Sequence, residues 1–298
     1  HEPIRVLHVV NKMNQGGIQS LIMNYYRNID RSRIQFDFVV QDNGGSHYDR
    51  EIKTLGGKIH GVPRMTTHSV RAFSKAFGEI LERNPDYQIV HSHQNWLNIV
   101  PLRMAKKYEV PIRLSHSHGS YGARSFYRKA QRYLFQKTIG YYATDFLSCS
   151  TVAGIWLYGE RFTSDPRARV VHNAIDTNKF QFNKVVRDEL RRKHEFGPRT
   201  HVLINVGRLS PGKNHEFLID VFSEYQKINP DSILVLAGDG PSRSNIERKV
   251  EKMGLRRKVL FLGMIDNVHE YLSAADLFVF PSGSEGLGIA LVEAQTNG

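Results

Sequence analysis

Hydrophobic and polar positions switch between two periods along the whole chain. The largely apolar run Ile4 to Val10 predicts a buried strand, Asn14-Gln15-Gly16-Gly17 breaks it, and Ile18 to Met23 opens an amphipathic helix. Further strands are predicted at Phe36 to Val40, Gln88 to His93, Ile112 to His116 and Asp145 to Ser148. Helical spacing marks His68 to Glu82, Asn98 to Lys107 and Ser125 to Thr138. The apolar stretch within Arg169 to Asn178 runs into turn residues and reads as a linker. A second alternation follows: strands at Val202 to Val206, Ile233 to Ala237, Val259 to Leu262 and Leu277 to Phe280, with helices at Lys213 to Ile228, Ser242 to Met253 and His269 to Ala274. Strands separated by helices imply parallel, doubly wound sheets. The pattern therefore predicts an α/β protein of two Rossmann-like domains, residues 1–172 and 173–298, with a cleft between them.

The last eighteen residues, PSGSEGLGIALVEAQTNG, carry the most suggestive chemistry. The chain turns from a strand through Ser282, Gly283 and Ser284 into a helix expected to open near Leu287. The first N–H groups of a helix lack intrahelical partners, and Gly286 and Gly288 have no side chain to hold a phosphate away from them. Glu285 in the turn and Glu293 in the helix would be repelled by a diphosphate, so as ligand groups they suit sugar hydroxyls. Phosphate flanked by two hydroxyl-binding acids describes a nucleotide sugar. The ordinary alternative is an unliganded strand-turn-helix with acids at a helix start. Two more glycine-marked turns precede it: Gly207 to Lys213, in which Arg208 and Lys213 could neutralise a diphosphate leaving group, and Gly238-Asp239-Gly240.

Composition narrows the classes. At 298 residues with 40% hydrophobic content the chain can bury real cores, and the lone Cys149, in an apolar run, excludes an internal disulfide and suits a buried thiol in a reducing compartment. No apolar segment reaches the ~20 residues of a membrane span. The net charge of +12 is uneven: residues 1–172 hold 24 Lys/Arg against 13 Asp/Glu, whereas 173–298 hold 17 against 16. Within the basic half, Arg103, Lys106, Lys107, Arg113, Arg124, Arg128, Lys129, Arg132 and Lys137 face one acid, Glu109, and are interleaved with aromatics. That stretch suits an anionic membrane surface, or else is a solvated face; no nucleic-acid motif accompanies it.

In order and spacing, GRLSPGKNHEFLID, LAGDG, FLG, AADLFVFPS and EGLGIALVEAQ resemble the donor domain of retaining glycosyltransferases of the GT-B fold, especially the bacterial capsular and exopolysaccharide group. The opening VLHVVNKMNQGGIQSLIMNYYRNID resembles the acceptor domain of exopolysaccharide enzymes, so the likeness spans nearly the whole chain. Its most specific part is the pair Glu285 and Glu293, with seven residues between them.

The resemblance implies that Arg208 and Lys213 hold the diphosphate, Glu293 the ribose and Glu285 the transferred sugar, with the backbone of Gly286, Leu287 and Gly288 beside them. It places Gly238 in the donor site, Gly263 and Met264 near the base, and Gly16 and Gly17 against the phosphate or sugar. His118 matches the family's active-site histidine, with His116, two residues away, as the competing match. The implied reaction is front-face transfer from a UDP-sugar to a saccharide or polyprenyl-diphosphate-linked saccharide, with no cofactor and no metal. The expected location is the cytoplasm, at the inner face of the membrane, with Arg124, Arg128, Lys129 and Arg132 forming the docking patch.

Three other readings stand beside this one. They are a GT-B nucleotide-sugar epimerase, a metal-dependent hydrolase using the His91-Ser92-His93 and His116-Ser117-His118 turns, and a nucleotide-binding form with little turnover. The last follows from the further elements that the resemblance implies after Gly298, which leave the second domain incomplete.

Overall fold

The structure, a computed structural model, describes residues 2–41, 45–66, 69–119, 126–283, 285 and 287–298; the side chains of 126–129 and 131 lie outside that description. The chain divides into two compact units, His1–Ala174 and Ile175–Gly298.

The first unit runs β1 (Ile4–Val10), α1 (Gly17–Asn28), β2 (Ile34–Val40), α2 (Asp49–Thr54), β3 (Ile59–Gly61), α3 (Val70–Arg83) and β4 (Ile89–Ser92). It continues with α4 (Ile99–Lys107), β5 (Ile112–Ser117), α5 (Phe126–Tyr142), β6 (Asp145–Ser148), α6 (Thr151–Tyr158) and β7 (Ala168–Val170). Its sheet has the order β3-β2-β1-β4-β5-β6-β7, and every pairing is parallel. The period of two in β1 sends Leu7 and Val9 into one core, with Phe73, Phe77 and Leu102. Val6 and Val10 enter the core on the other face, with Ile22, Met23, Tyr26 and Phe38. A sheet covered on both faces needs strands that are apolar almost throughout, as β1 and β2 are. The strand order reverses between β1 and β4, the place where ligands of open α/β sheets bind.

The second unit runs α7 (Lys184–Lys193), β8 (His201–Val206), α8 (His215–Ile228), β9 (Ser232–Ala237), α9 (Arg243–Lys252), β10 (Val259–Gly263), α10 (Val268–Ala274), β11 (Leu277–Phe278) and α11 (Ile289–Asn297). The parallel order is β10-β9-β8-β11, and the reversal falls between β8 and β11. Leu203, Leu218, Ile219, Phe222, Leu234 and Ile246 fill one face; Val202, Ile204, Val235, Leu190 and Tyr271 fill the other.

Four local expectations change. Arg169 and Val170, expected in a linker, pair with β6 as β7, and the two units part between Ala174 and Ile175. The last strand stops at Phe278 instead of Phe280, and the last helix opens at Ile289 instead of Leu287. Helix α7 was not expected, because KVVRDELRRK carries few apolar positions. Asn183 caps it by accepting from Val185 N–H (3.0 Å) and Val186 N–H (3.2 Å), and it buries only Leu190 and Arg191. Cys149 is buried and free, as expected.

Candidate functional site

In the second unit the turns that follow β8, β9 and β10 are laced together by main-chain hydrogen bonds. Gly207 N–H donates to Ala237 O (2.9 Å), Leu209 N–H to Asp239 O (3.0 Å) and Gly238 N–H to Gly263 O (2.8 Å). The approach is close enough to demand glycine. Gly238 has φ +136°, and a Cβ there would stand 2.0 Å from the Gly207 carbonyl oxygen; at Gly240 a Cβ would stand 2.4 Å from that of Leu209. Gly238, expected to serve the donor, thus has a steric reason of its own. Gly263 (φ +68°) ends β10 beside an exposed Met264.

The turn after β8 also reaches the turn after β11. Pro211–Lys213 form a single 3-10 turn, and Asn214, at φ 55°, swings the chain into α8. There Lys213 Nζ is ion-paired with Glu285, and Gly283 N–H donates to Gly212 O (3.3 Å). Asn205, at the end of β8, donates from Nδ2 to Val279 O (2.7 Å), which leaves its oxygen to accept from His215 Nε2 (3.0 Å). Burial, assisted by Lys213, lowers the His215 pKa to about 4, so this ring is neutral.

Around this joint stand the remaining expected groups. Arg208 is exposed. Ser282 Oγ is buried with no hydrogen-bond partner among the described residues. Helix α11, with Gly288 at its N-cap, has no side-chain cap and no acid in its first turn. Gly288 packs so tightly on Phe280 that a Cβ would stand 2.7 Å from its ring. Glu293 lies about 6 Å along the axis from Ile289, and burial, opposed by Lys179, raises its carboxyl to about 7. Gly286 and Ser284 lie outside the described residues.

In the first unit, Gly16 and Gly17 follow β1 at its carboxyl end. Gly16 is extended (φ 175°), and α1 opens at Gly17 without a side-chain cap or a first-turn acid among the described residues. His118 follows β5 and belongs to a group of five histidines. His8 Nδ1 lies 3.0 Å from His93 Nε2, His93 Nδ1 lies 2.7 Å from His118 Nε2, and His91 Nε2 lies 3.0 Å from His116 Nδ1. Burial above all pushes every one of these rings below the usual imidazole range, His91 and His118 to about 3, so all five are neutral at physiological pH. The two matches for the active-site histidine differ: His116 is buried inside β5, whereas His118 is half-buried just beyond it.

The two tripeptides that supply four of these rings were noted in the sequence; that His8 joins them was not. Histidines two apart on a strand share a face, and the parallel register sets His8 opposite His91.

The basic stretch is only partly a free face. Arg113 is turned inward, donating to Tyr142 O (2.7 Å), and Lys106 donates to Tyr141 O (2.9 Å), because both complete backbone carbonyls at element ends. Arg132 lies over Trp156, 5.5 Å from the ring. Tyr133, Leu134 and Tyr141 are exposed on α5. Arg124 and the side chains of Arg128 and Lys129 lie outside the described residues. Among the described residues no helix is long and apolar enough to cross a membrane.

Residues 15–179 match the model of Glycosyltransferase Family 4, and residues 186–298 that of Glycosyl transferases group 1. EpsF of Bacillus subtilis (strain 168), whose name assigns it glycosyltransferase activity provisionally, is 34% identical over 99% of this chain and 77% of its own length. The chain belongs to the glycosyltransferases. This glycosyltransferase is also 25% identical, over 98% of its length and 78% of the relative's, to the capsular polysaccharide biosynthesis glycosyltransferase CapH of Staphylococcus aureus. It is 25% identical, over its full length and 78% of the relative's, to the UDP-Gal:alpha-D-GlcNAc-diphosphoundecaprenol alpha-1,3-galactosyltransferase of Escherichia coli. Among solved structures, Anabaena Alr3699/HepE, in complex with UDP and glucose, superimposes with a TM-score of 0.81 at 17% identity, over 98% of this chain and 78% of HepE. The fold is GT-B, with both doubly wound parallel sheets as expected, and the glycosyltransferase is one of the bacterial capsular and exopolysaccharide group.

Proposed function

We propose that this glycosyltransferase moves a hexosyl group from a UDP-sugar, with retention, to a saccharide or polyprenyl-diphosphate-linked saccharide in the building of a cell-surface polysaccharide. The observation that carries the reading is the junction of two turns at the sheet reversal of the second unit. One bears Arg208 and Lys213; the other bears Glu285 and leads to Glu293.

In this reading Arg208, Lys213 and the uncapped start of α11 take up the charge that develops on the departing diphosphate. Two fixed cations do there what a metal ion does elsewhere. Glu293 accepts from the ribose hydroxyls, and Glu285 from hydroxyls of the transferred sugar. The acceptor hydroxyl enters from the face the leaving group vacates, and its proton passes to the leaving phosphate oxygen. No enzyme carboxylate attacks the anomeric carbon, as one does in double displacement. Catalysis is then mainly positioning and electrostatics.

The donor and acceptor classes draw on relatives: HepE was crystallised with UDP and glucose, and the E. coli relative is named for UDP-galactose and a diphosphoundecaprenol-linked sugar. The basic, aromatic face of α5 would hold the first unit on anionic lipid at the cytoplasmic membrane surface, where such an acceptor lies.

The test is a thermal-shift titration of UDP, GDP and ADP without added metal, on the parent protein and on Glu293→Ala and Arg208→Ala. At 100 times its dissociation constant a bound nucleotide adds about 2.7 kcal/mol. A shift with UDP that both substitutions remove supports the reading. A shift with none of the three, or one that neither substitution alters, defeats it.

A further inference from the structure

The proposed reaction assigns no role to the clustered histidines, and their arrangement is costly as it stands. Two ring nitrogens, His8 Nε2 and His116 Nε2, are buried with no hydrogen-bond partner among the described residues. A buried polar atom without a partner costs free energy that native structures usually avoid. His93, His116 and His118 each bring one ring nitrogen within 4.8 Å of the others'.

We propose that His93, His116 and His118 form a binding site for a transition-metal cation of the Zn2+ class. Among the described residues, the nitrogens not engaged outside the trio are His93 Nδ1 and His118 Nε2, which meet each other at 2.7 Å, and the unpartnered His116 Nε2. Ligation through these three leaves the outer contacts intact. His93 Nε2 keeps its bond to His8 Nδ1, and His116 Nδ1 keeps its bond to His91 Nε2. Outer hydrogen bonds of this kind orient ligating imidazoles in metal sites.

Tetrahedral ligation at about 2.0–2.1 Å separates neighbouring nitrogens by about 3.4 Å. The His93–His118 contact therefore opens by less than 1 Å. Three imidazoles without a carboxylate select borderline cations over Mg2+ or Ca2+, which require oxygen. Neutral rings also present lone pairs without competition from protons. His118, half-buried beyond β5, gives the ion a way in. The competing trio, His8, His91 and His93, is closed on its outer side, because His91 Nε2 is bound to His116.

The experiment titrates Zn2+ into the chelator-stripped chain against a chromophoric chelator, in the absence of nucleotide, with circular dichroism to check folding. The expected result is one Zn2+ bound at micromolar affinity or tighter, no response to Mg2+, and loss of that affinity in His116→Gln and in His93→Gln. His91→Gln, an outer partner, weakens binding about 10–100-fold. Folded parent protein that fails to bind Zn2+, or folded His116→Gln that binds as well as the parent, overturns the site. Should the variants not fold, X-ray absorption of the Zn2+-loaded parent decides: histidine nitrogen ligands uphold the site, and oxygen-only ligands overturn it.

Discussion

The ammonium of Lys213 is ion-paired with the carboxylate of Glu285, each about a quarter exposed, and this contact ties the turn after β8 to the turn after β11. Such half-exposed pairs contribute only ~0–1 kcal/mol. A diphosphate carries more charge than one carboxylate and competes for the same ammonium. Under the proposed function, donor binding would release Glu285 toward the sugar at little cost. Glu285→Gln should separate the two roles: UDP binding, measured by calorimetry, holds or tightens by up to about tenfold, worth ~1.4 kcal/mol. Turnover with the sugar donor should fall by about 100-fold or more, as a contact made by the reacting sugar is lost. A drop in UDP affinity as large as that of Lys213→Ala would refute this division.

Glu293 offers a pH test. Its folded pKa, raised to about 7 by burial, stands above the ordinary 4.5, so the folded state holds a proton that the unfolded state has released. Stability therefore falls as pH rises from about 4.5 to about 7 and is level above that. Glu293→Gln should remove this slope and stabilise the protein at neutral pH by about 1–3 kcal/mol. One pKa unit is worth ~1.4 kcal/mol, and partial exposure reduces the total. Urea unfolding at pH 5.5 and pH 8 checks both statements; a parent protein with no slope between them would count against the buried carboxyl.

Gly238 separates steric need from ligand binding. A methyl group there would meet the Gly207 carbonyl at 2.0 Å, on backbone already at φ +136°. Gly238→Ala should cost about 2–4 kcal/mol in urea unfolding, from overpacking and a left-handed residue. Gly283, in the turn that binds Gly212, has nothing within 4 Å of a built Cβ, so Gly283→Ala should stay within about 0.5 kcal/mol. Equal effects at the two glycines would show that the lacing of the turns is not what requires Gly238.

How much of this was legible depends on whether it followed from local pattern. The strands of both sheets are apolar runs between turn residues, so most were found to within one or two positions. Helix α7 was hidden because it is fixed largely by Arg187 and Arg191, charged residues that reach Ser273 O and Ala274 O, 80 or more positions away. The turn residues of the proposed donor site were recognisable as motifs, but the Lys213–Glu285 joint and the bond from Asn205 to Val279 O arise only when β8 and β11 lie side by side. The histidines were seen as two tripeptides. That His8 completes a five-ring group depends on β1 standing next to β4, a neighbour relation no local spacing states.

Asp276 holds the start of β11 to the rest of its sheet. Its carboxylate accepts from Val202 N–H (2.8 Å) and Arg191 Nη1 (3.1 Å) and is also paired with Arg187. Arg191, itself buried, fans its remaining donors onto Ala274 O (3.1 Å), Gly197 O (3.0 Å) and Thr200 O (2.6 Å). Desolvation alone would raise the Asp276 carboxyl, but the Val202 N–H and the two arginines outweigh it and hold the carboxyl below its usual value. A depressed folded pKa contributes stability above the unfolded pKa of about 3.8, and that contribution is lost as pH falls through the folded value. Asp276→Ala strands a buried guanidinium and a strand N–H, so it should cost about 2–4 kcal/mol at pH 7. The difference between variant and parent should begin to shrink below about pH 4, where the unfolded parent takes up a proton that the folded carboxylate still excludes. Denaturant titrations at pH 7 and pH 3.5 measure it; a difference that does not change with pH would assign the loss to packing rather than to the carboxylate.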